Sequence, residues 1–224
     1  MANFSPRSSS QQPIAAIGFD LDGSLFDRRG AMSRMLVEWP GLDPDSIQAI
    51  VDQDDEGRTP RRAFFSWWLK SAPQGREHAA MLSKTFQRRL LAAIRPDVRM
   101  LALLTDLQAA AVPLALLSNG SPAFQKAKLR ACGAADSFPL RRQLYSKSLG
   151  YEKPDVRAFH ALASTLELPP QEILFCGDDP QRDLAGAKEA GMSALLIQRD
   201  NSGTIPPEIF AAIRRAIRPI SLPS

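Results

Sequence analysis

The sequence is poor in cysteine and histidine, and it has no long hydrophobic run. Two cysteines and two histidines among 224 residues provide neither a disulfide framework nor the Cys/His spacing of a zinc site. Cys132 and Cys176 are therefore expected to be free thiols, and Cys176 to be a buried strand residue. No apolar run approaches the roughly 20 residues that span a bilayer. We expect a cytoplasmic protein with no membrane partner.

Charge of one sign is not concentrated anywhere either. The formal net charge is +4, but the basic residues are scattered in pairs, with no run of five or more and little aromatic interleaving. This distribution favours solvated helix faces and argues against a nucleic-acid partner. A mild positive field would still raise the local concentration of a phosphorylated metabolite. The hydrophobic fraction of 44% is enough for an ordinary globular core.

Four short apolar runs alternate with helical patterns along most of the chain. They cover residues 14–19, 112–117, 172–176 and 193–197. Continuous apolar runs of this length are typical of strands in a parallel sheet that is covered on both faces. The alternation predicts an α/β fold with a doubly wound parallel sheet, formed by residues 14–27 and 96–224.

Two segments depart from this alternation. Residues 28–95 look entirely helical, which predicts a small helical cap domain inserted after the first strand. An aromatic cluster in this segment is more typical of the core of a cap domain than of a surface that binds the substrate. It comprises Phe64, Phe65, Trp67 and Trp68. The arginines of this segment are more typical of solvated helix faces; they are Arg58, Arg61 and Arg62. Its acidic residues are typical of a polar loop between helices; they are Asp52, Asp54, Asp55 and Glu56. Residues 1–13, rich in Ser, Gln and Pro, are expected to be a disordered tail.

Polar residues follow three of the predicted strands at the point where each strand ends. They are Asp20 and Asp22 after the first, Ser118, Asn119 and Gly120 after the second, and Asp178 and Asp179, with Asp183 beyond them, after the third. Ligands of open parallel sheets bind at the carboxyl ends of strands. Several carboxylates at two strand ends would repel each other unless a cation joins them. Hard oxygen ligands without His or Cys favour magnesium.

This arrangement suits phosphate chemistry. A carboxylate can attack phosphorus and divide the displacement into two steps. The charge on the non-bridging oxygens then calls for a hydroxyl, backbone amides and a cation. Ser118 and the following turn supply the first two, and Lys153 the cation. The alternatives left open are a simple strand-end turn for Asp20 and Asp22, a helix N-cap for Ser118, and a solvent-exposed side chain for Lys153.

Four segments together resemble the motifs of the haloacid dehalogenase superfamily, in the expected order over residues 16–197. They are Asp20-Leu-Asp-Gly-Ser24, Leu117-Ser-Asn119, Lys153-Pro-Asp155 and Gly177-Asp-Asp-Pro-Gln-Arg-Asp183. The inserted helical segment makes the chain similar to the phosphatase branch of phosphoglycolate phosphatase type. Because each segment falls at a predicted strand end or helix start, the resemblance is specific.

The resemblance implies a role for each site residue. Asp20 would be the nucleophile and a magnesium ligand, and Asp22 the general acid and base, binding the metal through its backbone carbonyl. Ser118 and Lys153 would hold the phosphoryl oxygens, beside Asn119 and Gly120. Asp178 would be a metal ligand and Asp183 would support the metal. The role of Asp179 is open, because the family often has Ser or Thr at that position.

Asp22 decides between the reaction classes of the superfamily. Its dehalogenases lack an Asp two residues beyond the nucleophile, because they release no alkoxide that needs a proton. The resemblance therefore implies magnesium-dependent hydrolysis of a small phosphate monoester, such as a sugar phosphate, phosphoglycolate or a nucleoside monophosphate. A phosphosugar mutase and a catalytically idle binding protein remain alternatives, as do monomer and homodimer. His78 and His160 are expected to be surface or packed residues without a catalytic role.

Overall fold

The computed structural model describes residues 13–71 and 79–217. The predicted tail, except Pro13, and His78 lie outside them. The described residues divide into two compact units: Asp27–Arg95, here called the cap unit, and the remainder, here called the core unit. No described helix has the length and apolar character that crossing a membrane requires.

The cap unit is helical throughout its described length, apart from its connections. Its helices are α1 (Arg28–Val37), α2 (Pro44–Asp54), α3 (Arg61–Ser71) and α4 (Ala79–Ala93), with a 3₁₀ turn at Asp55–Gly57. Phe64, Phe65 and Trp68 of α3 are buried, and each makes an edge-to-face contact with Phe86 of α4. The aromatic cluster is therefore cap core, as expected, although Trp67 is only partly buried.

The core unit is built on five parallel strands. They are β1 (Ala16–Phe19), β2 (Leu114–Ser118), β3 (Gln143–Tyr145), β4 (Ile173–Gly177) and β5 (Ser193–Leu196), in the spatial order β3-β2-β1-β4-β5. β1 lies at the centre, where Ile17 is in register with Leu114 on one side and Leu174 on the other. This doubly wound sheet confirms the predicted fold class. The short edge strand β3 was not predicted.

Helices follow the strands and cover the sheet. They are α5 (Val98–Ala109), α6 (Pro122–Ala131), α7 (Ser146–Leu149), α8 (Val156–Leu166), α9 (Gly186–Glu189) and α10 (Pro207–Ala216), with a π-helical segment at Pro180–Ala185 and 3₁₀ turns at Ala135–Ser137, Leu140–Arg142 and Pro170–Glu172.

Both faces of the sheet are buried, which explains the continuous apolar runs. On one face Ala16 of β1 and Phe175 of β4 belong to the same hydrophobic cluster as Phe159 of α8. Ile17 and Phe19 point to the other face because side chains alternate along a strand, and both are fully buried. In β1, β2 and β4 no polar side chain comes before the last strand residue, so the first polar side chains stand where these strands end, at one edge of the sheet.

Candidate active site

The predicted site residues come together at the carboxyl edge of the sheet. Asp20 directly follows β1, Ser118 is the last residue of β2, and Asp178 directly follows β4. Because these three strands are neighbours and parallel, their ends place the three side chains side by side. Lys153 and Asp183 reach the same place from the segments before α8 and within Pro180–Ala185.

Lys153 is at the centre of this arrangement. Its side chain is buried, with 3% exposed, and its Nζ lies 2.5 Å from Asp20 Oδ1 and 2.6 Å from Asp183 Oδ1. The alternative of a solvent-exposed lysine is thus wrong. Asn119 fixes the lysine loop from the other side. Its side-chain oxygen accepts a hydrogen bond from the Lys153 N–H (2.9 Å), and its amide donates to the Lys153 carbonyl (3.0 Å).

Three carboxylates form a candidate metal-binding cluster. Asp20, Asp178 and Asp183 each offer an oxygen, and these oxygens lie within 4.8 Å of one another. Gly23 makes the approach of Asp178 possible, because a Cβ at that position would overlap the Asp178 carboxylate and its φ of +82° favours glycine. Ser24 Oγ lies 3.4 Å from Asp20 Oδ2 and 3.3 Å from Asp178 Oδ1, between two members of the cluster.

The electrostatics of the cluster suit a divalent cation. Burial raises the pKa of Asp20 to about 7; the Lys153 ammonium opposes this, and the carboxylates of Asp183 and Asp22 add to it. The pKa of Lys153 is raised by the same two partners, Asp183 and Asp20, although burial alone would lower it. A divalent cation would offset the negative charge and favour the ionised form of Asp20. The oxygen-only donor set fits magnesium.

Asp22 points to a different set of partners. Lys128 Nζ lies 2.8 Å from each of its carboxylate oxygens, and Gln125 Nε2 donates to Oδ2 at 3.0 Å. Both partners come from α6, and the sequence analysis missed them. The signal available was their spacing of three residues, which puts them on one face of a helix that begins just beyond the Ser118–Gly120 turn.

The Ser118–Gly120 turn is held by hydrogen bonds within the protein. Ser118 is buried and its Oγ lies 2.6 Å from Gln125 Nε2. It is not the N-cap of α6, since Ser121 occupies that position, so that alternative is wrong. The Gly120 N–H donates to Ser146 Oγ at 2.9 Å. Contact of Asn119 and Gly120 with a substrate stays a prediction.

The contacts of Asp179 give it a structural role, which the sequence left open. Its side chain caps the segment Pro180–Ala185, accepting hydrogen bonds from the N–H groups of Gln181 (2.9 Å) and Arg182 (3.0 Å). Its own N–H donates to Asp183 Oδ2 at 3.0 Å. Asp179 therefore orients the helical segment that carries Asp183.

A second contact that the sequence analysis missed fixes the turn after Asp22. The Arg199 guanidinium donates to the carbonyls of Gly23 (2.8 Å) and Ser24 (3.1 Å) and pairs with Asp97 (2.8 Å). Cys176 is fully buried, as expected, and burial raises the pKa of its thiol. His160 lies exposed on α8, away from these contacts.

Comparisons with known proteins agree with the fold and with the resemblance to the haloacid dehalogenase superfamily. The family model of the haloacid dehalogenase-like hydrolases matches residues 14–191. A phosphoserine phosphatase from Thermus thermophilus is 34% identical over 140 residues, which make up 62% of this chain and 55% of that protein. This match thus spans about half the length of that relative.

Two further similarities cover nearly the whole chain. A glyceraldehyde 3-phosphate phosphatase from Methanothermobacter thermautotrophicus is 25% identical over 200 residues, 84% of this chain and 87% of that protein. A solved structure of YfnB from Bacillus subtilis, bound to magnesium, matches with a TM-score of 0.66 and 22% identity, over 88% of this chain and 92% of that chain. At that identity the structural match establishes the fold.

Proposed function

The chain belongs to the haloacid dehalogenase-like hydrolases, and from this premise we propose that it is a magnesium-dependent phosphatase of small phosphate monoesters. The observation that carries the proposal is the buried Asp20 carboxylate, held by Lys153 beside the carboxylates of Asp178 and Asp183. These contacts support the proposal because the reaction needs a nucleophilic oxygen, a fixed cation and metal ligands close together. The names of the two phosphatase relatives support the same reaction class.

Asp20 is the nucleophile in the proposed first step. One of its oxygens forms a bond to phosphorus as the ester P–O bond breaks, which leaves an aspartyl-phosphate. Lys153 and Ser118 hold the phosphoryl oxygens while negative charge shifts among them. Because a nucleophilic carboxylate must be ionised, the raised pKa of Asp20 has to be offset before the step occurs.

Asp22 carries the protons in both steps. It first gives a proton to the departing ester oxygen, so that an alcohol leaves instead of an alkoxide. It then takes a proton from the water that attacks phosphorus, and the bond between phosphorus and Asp20 breaks. Inorganic phosphate is released, and both carboxylates return to their starting state.

Asp20, Asp178 and Asp183 would hold the magnesium ion, with the backbone carbonyl of Asp22 as a further ligand. When bound, the ion would neutralise charge on the phosphoryl oxygens and on the nucleophilic carboxylate. Asp183 also pairs with Lys153, so the same side chain would connect the metal site with the phosphate-binding lysine. Gly23, next to Asp178, keeps the space that this arrangement needs.

The test is phosphate release from a panel of metabolite phosphates, in magnesium or in EDTA. The panel includes phosphoserine and glyceraldehyde 3-phosphate, which the names of the relatives suggest, together with sugar phosphates, phosphoglycolate and nucleoside monophosphates. The wild type is compared with Asp20→Asn, and with Asp106→Asn as a matched control. Asp106 is an exposed residue of α5 that pairs with Arg214.

We expect magnesium-dependent release that falls by about four orders of magnitude or more in Asp20→Asn, because the covalent step is lost. Asp106→Asn should keep wild-type activity. Isomerised sugar phosphate with little free phosphate would indicate a mutase instead. Ligand binding without turnover of any panel member would indicate a catalytically idle protein.

A further inference from the structure

Helix α6 carries two buried polar side chains. Gln125 and Lys128 are 2% and 5% exposed, respectively. They are three residues apart and therefore share one face of the helix. A lysine ammonium is costly to bury unless it is paired, so the partner that it meets is informative.

That partner is the Asp22 carboxylate. Lys128 Nζ contacts both carboxylate oxygens at 2.8 Å, and Gln125 Nε2 contacts Oδ2 at 3.0 Å. Both oxygens of Asp22 are thus fixed by donors from one helix. The Lys128 ammonium also lies 4.6 Å from the centre of the Phe124 ring, which supports the lysine from its own helix.

Gln125 links this pair to the phosphate side of the site. Its Nε2 also lies 2.6 Å from Ser118 Oγ and 3.1 Å from the Asn119 carbonyl oxygen. One side-chain amide therefore contacts the carboxylate expected to move protons and the hydroxyl expected to hold the phosphoryl group. The relative position of these two groups is set by α6.

The geometry points to Lys128 and Gln125 as positioning residues that hold the Asp22 carboxylate in place for proton transfer to the leaving group. The inference rests on the proposed function, because it concerns how the acid of that reaction is held. A carboxylate on a one-carbon stem rotates about two side-chain bonds. Without its donors it would spend less time where the departing oxygen needs a proton.

The test compares two esters of similar size that differ in their need for an acid. The nitrophenolate released from 4-nitrophenyl phosphate is a stable anion, whereas benzyl phosphate releases an alkoxide unless it is protonated. We measure kcat and KM for both, and compare kcat/KM, which reports steps only up to formation of the phosphoenzyme. Asp22→Asn gives the size of the effect when the acid is absent.

We expect Lys128→Met to lower kcat/KM about 10- to 100-fold for benzyl phosphate and less than about threefold for 4-nitrophenyl phosphate, since general acid catalysis contributes about 10²–10⁴-fold in total. The loss should lie in kcat and leave KM nearly unchanged. Gln125→Leu should act in the same direction with a smaller effect. Lys128→Arg should restore part of the benzyl phosphate activity, because a guanidinium can contact both oxygens.

Lys126→Met is the matched control. Lys126 is on the same helix, but its Nζ lies 5.9 Å from the centre of the Tyr145 ring, and the variant should leave kcat/KM for both esters unchanged. Thermal melting of each variant separates local from global effects. The inference would be overturned if Asp22→Asn lowered kcat/KM more for benzyl phosphate than for 4-nitrophenyl phosphate, but Lys128→Met lowered it equally for both esters or for neither. No magnesium-dependent release by the wild type, or an Asp20→Asn variant as active as the wild type, would refute the proposed function, and the inference with it.

Discussion

Two aspartates, one in each unit, are buried to a similar degree but have opposite electrostatic surroundings. Asp20 of the core unit is 6% exposed and Asp54 of the cap unit 1% exposed. Asp54 accepts hydrogen bonds from Arg28 at 2.5 and 3.2 Å and from Arg61 at 2.6 Å. Burial alone would raise its pKa, but the two guanidinium groups lower it overall. The pKa of Asp20 is raised instead.

The difference shows that buried charge by itself does not mark a functional site. Asp54 meets two cations, so its negative charge is fully compensated within the cap unit. Around Asp20 and Asp22 four carboxylates, including Asp178 and Asp183, face the two lysines Lys128 and Lys153. In the second arrangement carboxylates lie beside one another, and a divalent cation would stabilise them. Carboxylates gathered side by side at strand ends are the more informative feature.

The largest expected effect on stability comes from removing the central cation. Lys153→Met should reduce phosphatase activity about 10³-fold, because phosphoryl charge loses its fixed partner. It should also destabilise the fold by about 3–5 kcal/mol, since Asp20 and Asp183 would be left buried without a cation. Lys147→Met, at an exposed position nearby in sequence, serves as control. Activity within tenfold of the wild type would contradict the central place given to Lys153.

A pH series without metal tests the contrast between the two aspartates directly. The folded-state pKa of Asp20 lies above its usual 3.8, at about 7, so the folded protein binds the proton more tightly than the unfolded chain. The contribution of Asp20 to the free energy of unfolding should therefore fall as pH rises from about 4 to about 7. Asp20→Asn removes this loss, and should be on the order of 2–4 kcal/mol more stable than the wild type at pH 8 in EDTA.

The pH dependence of stability that Asp54 contributes should have the opposite sign. Both dependences are measured by urea unfolding at each pH of the series. Its folded-state pKa is lowered, so its ionised form contributes stability above the usual pKa of 3.8, and this contribution disappears as pH falls below that value. Asp54→Asn should therefore be less stable than the wild type at neutral pH, with a difference that shrinks in acid. Parallel pH profiles for the two variants would show that the surroundings of Asp20 and Asp54 do not differ in the way described.

The smallest expected effect is that of Asp179→Ala, and it differs from the effect of replacing the neighbouring Asp178. Asp179→Ala removes a helix cap and should cost about 1 kcal/mol of stability, with activity within about threefold of the wild type. Asp178→Ala should instead abolish the response to magnesium, because it removes a member of the carboxylate cluster. Magnesium titrations of activity, together with thermal melting, separate the two. Equal losses of magnesium response would show that Asp179 also acts on the metal.

The sequence was sufficient for four of the five described strands and for the composition of the carboxyl edge of the sheet. Apolar runs that end in acidic residues predict both the strands and the place where Asp20 and Asp178 meet, because parallel strands end at a common edge. β3 was missed because its three residues, Gln143–Tyr145, are too short to show a pattern. The contacts of Lys128 and Gln125 with Asp22 join residues more than 100 positions apart, and helical propensity contains no information about such partners.

The cap unit shows the same limit. Asp54 belongs to an acidic stretch that predicts a polar loop, yet it closes α2 and is buried between Arg28 and Arg61. Composition alone does not distinguish a solvated acidic residue from a paired one, because the difference depends on arginines brought in from other helices. Three of the four motifs could be interpreted because they lie at the carboxyl ends of β1, β2 and β4, which are neighbours in the sheet.

The most direct test of the central claim is mass spectrometry of the acid-quenched Asp22→Asn variant after mixing with magnesium and 4-nitrophenyl phosphate. This ester needs no acid to leave, so the phosphoenzyme can form, whereas its hydrolysis lacks a base and should be slow. The account predicts one HPO₃ group on the peptide that contains Asp20, absent from Asp20→Asn. Turnover without any adduct, or an adduct on another residue, would contradict the account.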